Sequence, residues 1–286
     1  MRWIPKFRFS MRTLMIVTAV IAIISTLAGI RINQAQKQQQ TVVWVHEHFG
    51  SIRYQYQYTS QYPSGGVTPY YQNKPFSGPT KGPGTPKWIR GFFGENFLET
   101  VEHVQIGPSF YEFSQLDYRT MNLINQEILP VLDLSPLAQI EGIRSITFTN
   151  KSLTVQSDLS PLAELKNLES ITFEGYIPDI SPLSSLENLH TIRLYGADKT
   201  TLQHIVQLKH LKTVILENTP VAEIQPLEEL QGLERLHLRV ISFEELTPLK
   251  RFTKLKQLSL IMYCKVRQDE VDDLKEALPN SKITAF

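Results

Sequence analysis

The chain has 286 residues, with 29 Lys and Arg, 28 Asp and Glu and a formal net charge of +1. This length allows a sizeable core, and the single cysteine, Cys264, excludes an internal disulfide. The first 31 residues hold five of the basic residues and no acidic one, which leaves 24 basic and 28 acidic residues in the rest, a net charge of −4. A mildly acidic body offers no basic surface for nucleic acid, so no nucleic-acid partner is expected.

Residues 13–30, TLMIVTAVIAIISTLAGI, form an uncharged apolar segment. At ~1.5 Å per residue they span about 27 Å, close to the ~30 Å hydrocarbon layer of a bilayer. Residues 1–12 carry four basic side chains and no acid, which favours a cytoplasmic N-terminus, a transmembrane helix over 13–30 and a C-terminal domain outside the cytoplasmic membrane, periplasmic or extracellular.

A cleaved signal peptide is the alternative, with Thr26-Leu27-Ala28 as the cleavage site and a secreted mature protein. The anchor is preferred because the apolar run is long for a signal peptide and ends at Arg31.

Residues 31–58 are predicted to form a juxtamembrane helix that ends near Gly50, and then a strand in which Ile52 and Tyr54 alternate with polar residues. Residues 59–86 contain six Pro and five Gly, a composition typical of a linker or irregular loop.

The domain that follows is predicted to occupy residues 87–286. Its first coil is expected at four apolar residues with repeat-like spacing, Leu98, Val101, Val104 and Ile106. The aromatic residues just upstream are expected to cover the exposed end of the core: Trp88, Phe92 and Phe93.

One pattern recurs along the rest of the chain. Its first apolar position returns after 25, 21, 22, 22, 22 and 25 residues, at Leu134, Leu159, Ile180, Leu202, Ile224, Leu246 and Val271. Each unit is apolar about every third residue at first, as in a short helical turn, and ends in L-x-x-L-x-L, whose last part alternates as a strand does. Neither element can bury its apolar side alone, so the units are predicted to stack into a solenoid with one continuous core.

Ser-Pro pairs mark the start of several helical segments. Ser135, Ser160 and Ser181 are predicted to be N-caps, and the proline after each takes the first helical position, where no hydrogen-bond donor is lost.

The stretches DLSPLAELKNLESITF (158–173) and DISPLSSLENLHTIRL (179–194) resemble the leucine-rich-repeat family, in the roughly 22-residue form of internalin-like bacterial proteins. The resemblance covers residues 133–286 and implies an α/β solenoid, with a parallel sheet on the concave side and short helical turns on the convex side. That family usually has Asn or Cys three residues after each strand. Here the places hold Lys151, Tyr176, Ala197, Thr219, Ile241 and Tyr263, so the asparagine ladder is missing, or displaced by one residue to Asn150 and Asn218.

The order of segments also resembles a group of bacterial membrane-tethered leucine-rich-repeat proteins. The matching pieces are RFSMRT (8–13), GSIRYQY (50–56), PKWIR (86–90) and ALPNSKI (277–283). This resemblance implies the architecture, including the N-terminal transmembrane helix, and implies no reaction.

Catalytic and metal-binding motifs are absent from the sequence. The close pair His46 and His48 is spaced i, i+2, which on a helix places the two rings on different faces. No catalytic residue, metal site, cofactor or enzymatic activity is therefore expected.

The residues expected to carry function point outward from the strands, on the concave face. The outward side chains of the first two strands are small and polar, whereas those of the later strands are larger and often charged. The predicted ligand-binding residues are Arg193, Tyr195, Ile215, Glu217, Arg235, His237 and Arg239.

These features predict a single-pass membrane protein that displays a protein-binding solenoid. One alternative is a passive structural or scaffold element of the cell envelope, and another is a glycan- or peptide-binding module that serves a separate enzyme.

Overall fold

The structure is a computed structural model. It describes residues 11–48, 50–54, 87, 90, 99–107, 131–140, 142–149, 152–154, 156–240, 246–262 and 268–285. The predicted loop at 59–86, the aromatic residues Trp88, Phe92 and Phe93, and also Leu98 and Cys264, lie outside the described residues.

A nine-stranded sheet runs through the described part of the chain, with its strands in sequence order. The strands are β1 (Ser51–Tyr54), β2 (Val101–Ile106), β3 (Ser145–Phe148), β4 (Ser170–Phe173), β5 (Thr191–Tyr195), β6 (Thr213–Glu217), β7 (Arg235–Val240), β8 (Gln257–Met262) and β9 (Lys282–Ala285). β1 pairs antiparallel with β2, and every later pair is parallel. The predicted fold class, a solenoid with a parallel sheet, is confirmed.

The strands align so that equivalent repeat positions lie side by side. Ile171 pairs with Ile192, which pairs with Val214 on the next strand, and each is fully buried. Phe148 and Phe173 stack in the neighbouring column, with ring centroids 5.5 Å apart. The alternation that was read from the sequence therefore assigns inward and outward side chains correctly.

Short helices connect the strands on the side opposite to the concave face. They are η1 (Leu137–Gln139), η2 (Ser160–Glu164), η3 (Ser181–Ser185), α2 (Lys199–Ile205), η4 (Val221–Glu229), η5 (Thr247–Arg251) and α3 (Gln268–Ala277), where η is a 3₁₀ helix. Each buries one apolar side, such as Leu162 of η2 and Leu183 of η3, against the strands.

The predicted serine N-caps are wrong. The side chains of Ser160 and Ser181 do not cap η2 and η3, which begin at the serines themselves. The aspartate two residues earlier takes the capping role, because Oδ1 of Asp179 accepts the Ser181 backbone N–H at 2.9 Å and Asp158 does the same for Ser160 at 2.8 Å. An Asx turn thus orients the chain before the proline.

Of the two alternatives for the asparagine ladder, missing or displaced by one residue, the displaced ladder is not formed at Asn218. This residue is exposed and has a positive φ of 53°, the conformation that Gly196 adopts one coil earlier with a φ of 68°. Asn tolerates this left-handed region better than most residues. Asn218 therefore serves the turn backbone, whereas the ladder positions Ala197 and Thr219 are buried. Asn150 lies outside the described residues.

The helix α1 (Met11–Glu47) is continuous through the predicted anchor and the predicted juxtamembrane segment. Its last third packs on the first coils, where Val45 is fully buried and Oγ1 of Thr41 donates to the Pro136 carbonyl at 2.9 Å. Nε2 of Gln38 donates to the Glu99 carbonyl at 2.7 Å. This part of the helix, with β1, covers the N-terminal end of the core, a role that the sequence assigned only to aromatic residues after position 87.

The first two thirds of α1 make a different surface. None of its apolar stretch is buried. Within the described residues, α1 is the one helix that is long and apolar enough to cross a membrane. A signal sequence passes the same test.

Candidate ligand-binding face

The strand register assembles the seven predicted site residues on neighbouring strands of the concave face. Arg193, Ile215 and His237 form one column across β5, β6 and β7. Tyr195, Glu217 and Arg239 form the next column. Arg235 lies in a third column, beside Thr213.

Glu217 is the centre of this surface, and it is 5% exposed. Nε of Arg193 donates to its Oε1 at 2.6 Å, and Nη2 of Arg193 contacts the same oxygen. Nη1 of Arg239 donates to Oε2 at 3.4 Å. The carboxylate therefore bridges β5 and β7 across its own strand, and it pairs with Arg193 in addition to Arg239.

Glu174, which follows β4, belongs to the same group of charges. Burial raises the pKa of its carboxyl, while Arg193 lowers this pKa and Glu217 raises it. We call Glu174, Arg193, Glu217 and Arg239 the ion cluster. With both acids ionised its net charge is zero, so the charges of Arg193 and Arg239 are balanced within the protein itself.

Arg235 and His237 lie beside the ion cluster on β7. Nε of Arg235 donates to Oγ1 of Thr213 at 2.9 Å, which fixes the direction of the guanidinium. Burial lowers the pKa of His237, and the charge of Arg235 lowers it further. The neutral form of His237 is therefore favoured, and Arg235 supplies a positive charge outside the ion cluster.

Exposure separates the predicted residues into two groups. Tyr195 is 43% exposed and presents its ring to solvent, whereas Ile215 and Glu217 are buried. Ile261, in the column of Tyr195 and three strands away, is 42% exposed. Tyr195 and Ile261 are thus exposed side chains at the two ends of a column whose centre is charged.

Sequence reasoning missed Tyr176 as a candidate contact residue. It lies in the turn after β4 and is 49% exposed. It occupies one of the positions where the asparagine ladder would have an inward Asn. A large aromatic residue at such a position is the sequence signal for an outward side chain.

The N-terminal strands present a different surface. Ser145 and Ser170 are joined through their hydroxyls at 2.8 Å, and Thr147 pairs with Thr172 in the next column. These side chains are short and uncharged, and they offer no anchor comparable to Tyr195.

No group of three or more His, Cys, Asp or Glu side chains that could hold a metal occurs among the residues the structure describes. His48 contacts the Trp44 carbonyl through Nδ1 at 2.7 Å and lies against the Trp44 ring, with centroids 4.6 Å apart. Its ring is thereby held at the end of α1.

Three solved structures from bacteria show a similar arrangement. An internalin (InlF) of Listeria monocytogenes is 22% identical, with a TM-score of 0.36, over 54% of this chain and 52% of that one. Internalin C2 of the same species is 19% identical with a TM-score of 0.37, over 54% and 66%. A leucine-rich-repeat protein of Leptospira interrogans is 15% identical with a TM-score of 0.35, over 69% and 50%.

The fold of this chain is that of a leucine-rich-repeat solenoid. With all three TM-scores below 0.5, the assignment rests on the protein's own parallel sheet, strand register and repeat period. The match spans about half the length of the first internalin. No family model and no curated protein matches the chain.

Proposed function

We propose that this leucine-rich-repeat protein is anchored in the cytoplasmic membrane by residues 13–30 and binds another protein through its concave face, outside that membrane. Repeat solenoids commonly use such a face for binding. The exposed apolar window of α1 supports the anchor, and the basic residues before it favour a cytoplasmic N-terminus. We propose no enzymatic activity and no cofactor for it.

The observation that carries the binding proposal is the position of Tyr195. Its side chain is exposed, and it lies beside the hydrogen-bonded side chains of the ion cluster and Arg235. Tyr and Arg are, with Trp, the residue types enriched at binding hot spots. Thr213 holds Arg235 in one direction, and the ion cluster fixes the side chains between Tyr195 and β7. Side chains that are already ordered lose little entropy on binding.

The charges narrow the class of partner. With Glu174 and Glu217 ionised the ion cluster has no net charge, so Arg235 adds the unbalanced charge on this part of the face, and Tyr195 and Ile261 add apolar contacts. The proposed ligand is a protein segment with an acidic residue and at least one apolar side chain.

In-cell photocrosslinking tests the proposal. A benzophenone amino acid replaces Tyr195 in one strain and Glu229, an exposed residue at the end of η4, in the matched control. We expect one discrete crosslinked protein from position 195 and not from position 229. Arg235→Ala should remove the product and Thr172→Ala should not. The same products from both positions, or none from 195, would leave a passive envelope element as the better description.

A quantitative measurement then uses the identified partner. Arg235→Ala and Tyr195→Ala should each weaken binding by ~2 kcal/mol, about thirtyfold, if both are hot spots. The contribution of Arg235 should decrease with added salt, because charge interactions at a surface are screened over ~8–10 Å. If the captured molecule is a glycan, the face belongs to a carbohydrate-binding module instead.

A further inference from the structure

A row of charged residues precedes the strands at one edge of the concave face. Hydrogen bonds between neighbouring coils align the row: the N–H of Glu234 donates to the Lys212 carbonyl at 2.9 Å, and the N–H of Lys256 donates to the Glu234 carbonyl at 2.8 Å. Since neighbouring strands are ~4.8 Å apart, the backbones at Lys212 and Lys256 are about 10 Å apart, with Glu234 between them.

The balance of charge changes along this row. On the first coils Arg144 lies between two carboxylates, with Nε 3.2 Å from Oε1 of Glu102 and Nη1 2.9 Å from Oε1 of Glu169. With both acids ionised, these three side chains carry a net negative charge. On the later coils the order is reversed, because two lysines lie on either side of one acid, Glu234.

The outward column beside the row adds two more cations on the later coils. Arg235 and Lys282 lie in this column, two strands apart on β7 and β9. Lys212, Lys256 and Lys282 are exposed, and Arg235 is half-buried. We call Lys212, Arg235, Lys256 and Lys282 the basic flank. Its four cations and the single carboxylate of Glu234 give a net charge of +3.

Three cations of the basic flank act on the same carboxylate. Nζ of Lys256 donates to Oε1 of Glu234 at 2.8 Å. This hydrogen bond, together with the charges of Lys256, Lys212 and Arg235, holds the pKa of Glu234 below its ordinary value. The Lys256 side chain remains 71% exposed. The cations therefore lie close enough together to act on one carboxylate and remain accessible to another from solvent.

We propose that the basic flank binds an acidic segment of the protein partner, with carboxylates on both sides of the position that faces Glu234. This proposal deepens the proposed function and rests on it, because Arg235 belongs both to the basic flank and to the predicted ligand-binding residues. The partner segment then extends from the concave face across the starts of strands β6 to β9.

The position of Glu234 favours a protein segment over an anionic lipid surface. Its carboxylate lies among the cations and repels any anion placed over it. A lipid surface of uniform negative charge meets this repulsion. A peptide avoids it with an uncharged residue over Glu234 and acidic residues beside Lys212 and Lys256.

Fluorescence anisotropy of labelled hexaglutamate tests the basic flank directly. The full chain is held in phosphatidylcholine nanodiscs at low salt, and labelled hexaglutamine is the uncharged control peptide. We expect hexaglutamate to bind and hexaglutamine not to bind. Lys212→Gln and Lys256→Gln should each weaken hexaglutamate binding about threefold, the effect expected from one exposed ion pair.

Glu234→Gln gives a result that a merely structural role would not produce. It removes the carboxylate from among the cations, so hexaglutamate binding should become about threefold tighter. Lys199→Gln is the matched control, because Lys199 is exposed at the start of α2 on the convex side. It should leave binding unchanged. Urea unfolding of each variant establishes that it is folded.

Three results would overturn the proposal: equal binding of the two peptides, equal effects of Lys199→Gln and Lys212→Gln, or weaker binding after Glu234→Gln. Retention of the nanodiscs on phosphatidylglycerol vesicles in the presence of excess hexaglutamate would identify a lipid surface and overturn it as well.

Failure of the proposed function is distinguishable from failure of this proposal. In the strain with the photocrosslinker at position 195, Lys212→Gln combined with Lys256→Gln should lower the yield of the product about tenfold. An undiminished product would leave the partner on the concave face and overturn its extension to the basic flank. Absence of any product from position 195 would overturn the proposed function, and the peptide result then decides on the basic flank alone.

Discussion

At the scale of single residues, we expect the ion cluster of the concave face to contribute to stability and not to binding. Glu217 is buried between Arg193 and Arg239, and each of its oxygens faces one of them. Such a carboxylate contributes little contact area to a partner. Its loss instead leaves two largely buried guanidinium groups without their counter-charge.

We therefore expect Glu217→Gln to destabilise the protein by about 3 kcal/mol, the lower end of the range for breaking a buried ion pair. Equilibrium unfolding of the solubilised full chain in urea measures the change. Glu234→Gln is the control, because Glu234 pairs with Lys256 at 2.8 Å on the surface, where a pair contributes ~0–1 kcal/mol. Equal losses in both variants would contradict burial of the ion cluster.

His237 predicts a pH dependence of stability. Its pKa is lowered from 6.5 in the folded protein by burial and by Arg235. With a lowered pKa, the folded protein binds the proton less tightly than the unfolded chain does. The stability contribution is therefore fully present above pH 6.5 and is lost as the pH falls through the folded-state pKa. Burial lowers the pKa of His190 as well, so both histidines act in the same direction.

Unfolding midpoints of wild type and His237→Gln between pH 7.5 and 5.5 test this expectation. The wild type should lose more stability over the interval than the variant does. The raised pKa of Glu174 acts in the opposite direction, because its neutral form is favoured as the pH falls. That contribution is common to both proteins and largely cancels in the difference. Parallel pH profiles would show that His237 titrates normally.

At the scale of elements, caps decide where the convex segments begin. The coil at α2 has no Ser-Pro pair, and Asp198 is its N-cap. Its Oδ1 accepts from the Thr201 backbone N–H at 2.8 Å and from the Thr201 hydroxyl at 2.7 Å. These bonds hold the pKa of Asp198 below its ordinary value.

Asp198→Ala should cost ~1 kcal/mol, the usual loss for an N-cap. Asp198→Asn is the informative comparison, since its side-chain oxygen can still accept both bonds, and it should retain most of the stability. Thermal or urea unfolding of the three proteins gives the ranking. A loss as large for Asn as for Ala would indicate that charge, and not capping, is responsible.

The strands could be predicted from sequence because each coil must repeat the same inward positions to join the core. The spacing of Ile192 and Leu194, repeated in the next coils, fixes both the register and the outward columns. The sequence could not give the ion cluster. Whether Glu217 pairs with Tyr195, Arg193 or Arg239 depends on the directions of side chains from neighbouring strands.

The sequence predicted the wrong N-caps and missed that α1 covers the N-terminal end of the core, for related physical reasons. Asp179 and Ser181 both have side chains that suit a cap, and only the backbone geometry selects the aspartate. The packing of α1 on the first coils depends on Thr41 and Val45, which are not distinctive in a polar segment. The binding role of the seven predicted residues stays a prediction.

At the scale of the whole molecule, stability is distributed through neighbouring coils. Leu189 is 1% exposed in the middle of the stack. Leu189→Ala should cost ~2–5 kcal/mol through lost burial and a cavity. Since each coil contacts only its neighbours, the loss should also broaden or split the unfolding transition. A change below about 0.5 kcal/mol, the usual size for a surface site, would contradict the register.

The orientation in the membrane is a separate prediction. Protease added outside spheroplasts should digest the chain beyond residue 31, because the basic N-terminus favours a single span with the C-terminal domain outside. Protection of the solenoid would exclude this topology. A mature protein that begins at Gly29 would show that the apolar segment is a cleaved signal peptide.

The unbroken helix α1 has a mechanical consequence. It carries no hinge between the apolar segment and the residues that pack on the first coil. Gln38, which contacts the Glu99 carbonyl, lies eight residues beyond Ile30, about 12 Å along the helix axis. If residues 13–30 span the membrane, this short helical stalk carries the solenoid, and rotation of the stalk rotates the whole sheet. A partner in the same membrane would diffuse in two dimensions at a matched height, and the resulting high effective concentration would allow a weak contact to suffice.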